Sequence, residues 1–132
     1  MFNLKLISLL ITIFIMSNLS VQNSEIQMEG NQLDALMTGN TVYLIEPNSG
    51  GDIILWYGAD GKAMARLPSG GLLEGTWEIK ENLSCIKWSY DPTKDSCSKL
   101  VKRNGEMVLL ENGTNRLLGT VKRIVPKNIE EL

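Results

Sequence analysis

From residue 40 to residue 126 the apolar residues come in short runs, each ended by glycine, asparagine, aspartate or proline before a helix could complete three turns. This punctuation constrains the fold more than any other feature of the chain. Runs of about five to ten residues with alternating or continuous apolar character are strands. Asp-Gly and Asn-Gly between them supply the positive φ that tight hairpins need. The pattern predicts eight strands, at 41–46, 51–57, 62–67, 74–80, 83–90, 97–103, 106–110 and 116–125. Asp60-Gly61, Lys80 to Asn82, Asn104-Gly105 and Asn112 to Asn115 are the tight connections, and Pro47 to Gly51 and Pro68 to Gly71 are looser hinges. No stretch has the length or period of a crossover helix, which argues against a parallel sheet. The expected fold is all-β: a small antiparallel up-and-down barrel of the lipocalin or calycin kind with about eight strands. An open β-sandwich is the alternative.

Ahead of this region, residues 25–39 form a lead-in with one short helix. Asn31 is placed to cap it, Leu33, Leu36 and Met37 make an apolar stripe, and Gly39 can end it. Residues 40–126 are the β domain and 127–132 a C-terminal tail. Residues 1–24 have a different composition. Lys5 precedes an apolar run from Leu6 to Met16, and Ser17, Asn18, Ser20, Asn23 and Ser24 follow. A run of about 11 residues fits a signal peptide, whereas a bilayer span takes about 20. The segment is therefore expected to direct export and be removed after Ser20 or Ser24, leaving no stable membrane span. An uncleaved anchor helix reaching Val21 is the competing reading. The mature protein is then periplasmic or secreted.

Cys85 and Cys97 are the two cysteines of the chain. An even number in an exported protein favours a disulfide, and two separate buried thiols are the alternative. Alternation along the strands places Gly75, Trp77 and Ile79 on one face of 74–80, and Ile86, Trp88 and Tyr90 on one face of 83–90. Cys85, Lys87 and Ser89 share the opposite, solvent-side face. The inner face is expected to hold Trp77, Ile79, Ile86 and Trp88.

The composition removes several function classes. There is no histidine, so imidazole ligands and imidazole acid–base catalysis are excluded. The net charge is −2, and loss of residues 1–24 takes away Lys5 and no acid, giving −3. That balance argues against nucleic acid as a partner. The acids Glu46, Asp52, Asp60, Glu74, Glu78, Asp91, Asp95, Glu106 and Glu111 are scattered over turns and outward strand positions, with no sign of a convergent pair. Asp91 to Asp95 lacks the spaced acids and central glycine of a calcium loop, and Ser69-Gly70-Gly71 lacks the lysine and helix of a phosphate loop. No cofactor and no metal site is expected. Trp56, Trp77 and Trp88 are the candidate lining of a ligand pocket inside the barrel, with core packing as the competing role. Lys99, Lys102, Arg103, Arg116, Lys122, Arg123 and Lys127 gather in the last third of the chain and read as a solvated face before a cationic stripe.

One resemblance rests on order. Gly39-Asn40-Thr41-Val42 opens a strand, Tyr57 and Asp60-Gly61 follow, then Gly75-Thr76-Trp77-Glu78-Ile79, Cys85-Ile86-Lys87-Trp88, and Cys97 before a closing hairpin. The sequence G-x-W, C-x-x-W, C resembles a group of small periplasmic or secreted α-proteobacterial proteins known as a domain of unknown function. It covers most of residues 39 to 110. It implies an exported β domain with a disulfide, and it brings no activity and no catalytic residues. The expected function is a non-enzymatic binding module acting on an unknown envelope protein. A carrier of a small apolar ligand is the alternative, and an unrecognised hydrolase a distant third.

Overall fold

The computed structural model describes residues 25–132, so the signal-peptide expectation lies outside the described residues. In chain order the elements are β1 (Glu25–Gln27), α1 (Gly30–Met37), β2 (Asn40–Ile45), β3 (Asp52–Tyr57), β4 (Lys62–Arg66), β5 (Leu72–Lys80), β6 (Leu83–Trp88), β7 (Ser96–Arg103), β8 (Glu106–Glu111) and β9 (Leu117–Pro126). Strands β2 to β9 are the eight expected from the turn pattern. Each pairs antiparallel with its sequence neighbours, and β9 returns to pair with β2. That pairing runs from Asn40 opposite Pro126 to Ile45 opposite Thr120. It closes the sheet into an up-and-down barrel and rules out the open sandwich. A bulge in β9 between its partners Tyr43 and Leu44, and another facing Leu109 and Leu110, let the strand bend around the closure.

The tight turns form where the chain supplies positive φ. Gly61 has φ 85°, and Asn104 and Gly105 have φ 51° and 81°. In the turn at Asp60, the aspartate Oδ1 accepts the Lys62 backbone N–H at 3.0 Å, as its side chain favours.

Two features of the lead-in differ from expectation. Glu25–Gln27 forms a strand, β1, paired with β7 from Glu25 opposite Arg103 to Gln27 opposite Val101. It continues the edge that β6 leaves after pairing with only residues 96–98 of β7. The helix also starts earlier than an Asn31 cap requires. Glu29 is the capping residue, and its backbone N–H donates to the Gln32 Oε1 at 2.8 Å. Asn31 falls inside the first turn, where its Oδ1 accepts the Gln32 N–H. The helix N-terminus is held from outside by the β5–β6 turn, since the Asn82 Oδ1 accepts the Gly30 N–H at 2.9 Å. Only glycine fits there, because a Cβ on Gly30 would lie 2.3 Å from the Glu81 carbonyl oxygen.

The barrel interior is one continuous apolar cluster. Leu33 and Met37 of α1 join Val42, Leu44, Leu55, Tyr57, Ala63, Ala65, Ile86, Leu100 and Leu109, all buried. Around them pack Leu73, Trp77, Ile79, Trp88, Met107, Leu118, Val121 and Ile124. The expected helical stripe is therefore what docks α1 against β2, β5 and β6. Each of these large side chains contributes about 1.5–3 kcal/mol on burial. A second, smaller cluster of Val101, Val108 and Leu110, with Leu117 against it, sits on the opposite face of β7 and β8 from Leu100 and Leu109.

Candidate functional site

Trp77 and Trp88 pack against the interior cluster. The Trp77 ring stands edge-on to Tyr57, with centroids 5.1 Å apart at 74°, and its Nε1–H donates to the Gly58 carbonyl at 2.8 Å. Trp56 takes the other side of β3. Its neighbours Leu55 and Tyr57 point into the core, so alternation turns Trp56 outward. The proposed lining is thus divided between the two faces of the sheet.

The interior also holds polar side chains. Tyr57 Oη and Ser84 Oγ are buried without a hydrogen-bond partner. Burial pushes the Tyr57 pKa up to about 12, and the nearby Ser84 hydroxyl opposes that rise.

On the outside, Cys85 and Cys97 face each other across β6 and β7 and are bonded. Cys85 is buried although it belongs to the outward-facing set. Beside it lies a shallow concavity of about 230 Å³ lined by Thr76, Trp77, Glu78, Cys85, Lys87 and Asp95. Its charges satisfy one another. Lys80 Nζ stands 2.6 Å from Asp95 and 3.3 Å from Glu78, and Lys87 Nζ is 3.9 Å from Asp95. The Asp95 contact, followed by that to Glu78, raises the Lys80 pKa, and Lys80 in turn lowers that of Asp95.

The remaining acids mostly stabilise turns. Glu46 accepts the backbone N–H groups of Asn48 and Ser49, Asp91 accepts the Thr93 hydroxyl, and Glu111 accepts from Thr114 and Arg116. Among the described residues, no group of three or more Cys, Asp or Glu side chains is arranged to hold a metal. The basic residues of the last third are also dispersed. Arg103 pairs with Glu25, Arg116 with Glu111 and Lys122 with Asp52.

The outer face of β9, β2, β3 and β4 is built differently. Two cross-strand rows follow from the register. One is Arg123–Tyr43–Ile54–Arg66, and the next is Val125–Thr41–Trp56–Met64. Tyr43 is 3% exposed and Thr41 fully buried although both point away from the core. The tail beyond β9 covers them. The Thr41 hydroxyl donates to the Lys127 carbonyl at 2.6 Å. The Lys127 N–H donates to the Gly39 carbonyl at 3.0 Å. The Tyr43 hydroxyl donates to Glu130 Oε1, Arg66 Nη1 lies 3.5 Å from Glu130 Oε2, and the Arg123 guanidinium sits 4.0 Å above the Tyr43 ring. Burial, then the hydrogen bond to Glu130, raises the Tyr43 pKa. Residues 127–132, expected as a plain tail, thus cover part of the barrel's outer face. The alternation of Tyr43 with Val42 and Leu44 was the available signal that an aromatic faces outward here.

Among the described residues, no helix is long and apolar enough to cross a membrane. No protein-family model matches the chain, and no curated protein or solved structure is significantly similar to it.

Proposed function

We propose that this protein is an exported, non-enzymatic binding module that meets a protein partner with the outside of a filled barrel. The observation that carries the reading is the continuous interior cluster from Leu33 and Met37 of α1 through Tyr57 to Leu100 and Leu109. A carrier of a small apolar ligand needs that volume empty, and here α1 would first have to withdraw. Export rests on the apolar leader and on the Cys85–Cys97 bond, which persists in oxidising compartments. The absence of catalysis rests on the lack of histidine and on acids already engaged by turns.

Two measurements test this. A photoreactive side chain at Met64, on the outer face, should crosslink the mature protein to a discrete partner in the cell envelope, whereas one at Lys99 serves as the control. Titration with long-chain fatty acids should leave the intrinsic tryptophan fluorescence unchanged. Saturable quenching, with no crosslink from Met64, would replace the binding-module reading with the carrier.

A further inference from the structure

We infer that Tyr43, Arg66 and Arg123 form a receptor for a peptide carboxylate, and that the chain's own Glu130 occupies it as a built-in competitor. The inference rests on the binding-module reading and names the surface and the ligand chemistry that reading would use.

The receptor is built on rigid elements. Its three side chains come from β2, β4 and β9, in one cross-strand row with Ile54 between Tyr43 and Arg66. Stacking on Tyr43 holds the Arg123 guanidinium over the ring. Under the tail, the Tyr43 hydroxyl donates to Glu130 Oε1 and would donate in the same way to an incoming carboxylate. Arg66 reaches the second oxygen of the same group. A carboxylate is thus met at one oxygen by a phenol and at the other by a guanidinium, with a second guanidinium beside the phenol. This donor set suits an anion, and when the anion departs Arg66 loses the one ion-pair partner it has among the described residues.

The occupant is attached far more loosely than the receptor. Residues 127–132 make no ladder with any strand. They are tied by the Lys127 contacts to Thr41 and Gly39, by Glu130, and by a local loop in which Asn128 bonds the Leu132 backbone. Ile129 stays more than half exposed. The strap can leave without breaking a strand-to-strand ladder bond; what it gives up is the Lys127 bonds to Thr41 and Gly39 and the Glu130 contacts. A displacing segment would bring its own Glu or Asp, and apolar neighbours that rest on the half-buried Trp56 and Met64 of the adjoining row. The fitting partner is therefore an acidic peptide segment with flanking apolar residues.

The test uses the full mature chain and a fluorescein-labelled peptide carrying one glutamate between two leucines, with a glutamine peptide as its counterpart. Glu130→Ala should raise affinity for the glutamate peptide about tenfold over the unaltered chain and leave the glutamine peptide unaffected. Adding Arg66→Gln or Arg123→Gln to Glu130→Ala should abolish the gain. Glu130→Gln, which keeps the side-chain length, should reproduce the gain in part and guards against a folding defect in the alanine variant. Equal affinity for the two peptides, or no gain with either Glu130 variant, would overturn the receptor. If the peptides fail while Met64 still crosslinks a partner, the receptor falls and the binding module stands. If the glutamate peptide binds as expected but no crosslink forms in the envelope, the receptor and the binding module stand and the envelope partner falls.

Discussion

Replacing Tyr57 with phenylalanine removes one oxygen from the middle of the barrel, and its consequences should differ sharply with pH. Tyr57 is 1% exposed, and its hydroxyl has no hydrogen-bond partner. An unsatisfied buried hydroxyl costs about 1–3 kcal/mol, reduced here by whatever the nearby Ser84 hydroxyl returns. At pH 7, Tyr57→Phe should therefore be neutral or stabilising by about 1 kcal/mol. In alkali the difference grows. Burial pushes the folded-state pKa from 10.0 to about 12. Between those values the unfolded chain has lost the proton that the folded chain keeps. The stability associated with the neutral phenol is complete below pH 10 and is lost as pH rises toward 12. One pH unit is worth about 1.4 kcal/mol, so the two units amount to about 3 kcal/mol. The phenylalanine variant lacks that titration. Urea unfolding of both proteins at pH 7 and at intervals from pH 9 to 12 should show the gap widening by about 2 kcal/mol at pH 12 in favour of the variant, since half of the folded molecules still hold the proton there and the other titrating groups are shared. Parallel pH profiles, or a loss above about 1.5 kcal/mol at pH 7, would refute the reasoning. Parallel profiles would mean that the phenol titrates alike in the folded and unfolded chain, and a loss at pH 7 would mean that the hydroxyl is satisfied in the folded state.

Three further outcomes follow from the same structure. Replacing both Cys85 and Cys97 by alanine should lower stability by about 3 kcal/mol, the value for a loop of about 13 residues. Alkylation of the untreated protein should find no free thiol, and full alkylation without reductant would sink the bond. Trp77→Ala should cost about 3 kcal/mol by equilibrium unfolding, through lost packing and an orphaned Gly58 carbonyl. A cost under about 1 kcal/mol would show that the ring is not part of the core. N-terminal sequencing of protein from the periplasm or medium should begin at Val21 or Glu25. Both keep β1, which starts at Glu25. A chain that still begins at Met1 and fractionates with membranes would make this a tethered domain.

The barrel was legible in the sequence because its signals are local. Positive φ at Gly61 and at Asn104-Gly105 is demanded by the turn itself, so these residues mark the hairpins wherever the strands finally lie. Leu83 to Trp88 alternates clearly enough to assign Ile86 and Trp88 to the core. The turn spacing also puts Cys85 opposite Cys97. Trp56 shows where this kind of reading stops. It lies in Ile53-Ile54-Leu55-Trp56-Tyr57, a run apolar at every position, so alternation gives no sign of its face.

The eight strands of the barrel, their turns and their antiparallel order can be read from residues close together in the chain, and the short loop between Cys85 and Cys97 favours their pairing without requiring it. Tertiary structure alone decided the rest. The return of β9 to β2 joins residues about eighty apart, and its register is set by closure and by two bulges, which no local pattern encodes. β1 is three exposed residues, too short for a periodic signal, and exists because β6 leaves part of the β7 edge free. The strap is the extreme case. Thr41, Tyr43, Arg66, Arg123 and Glu130 come from four separate places in the chain, and only the closed sheet puts their side chains on one surface.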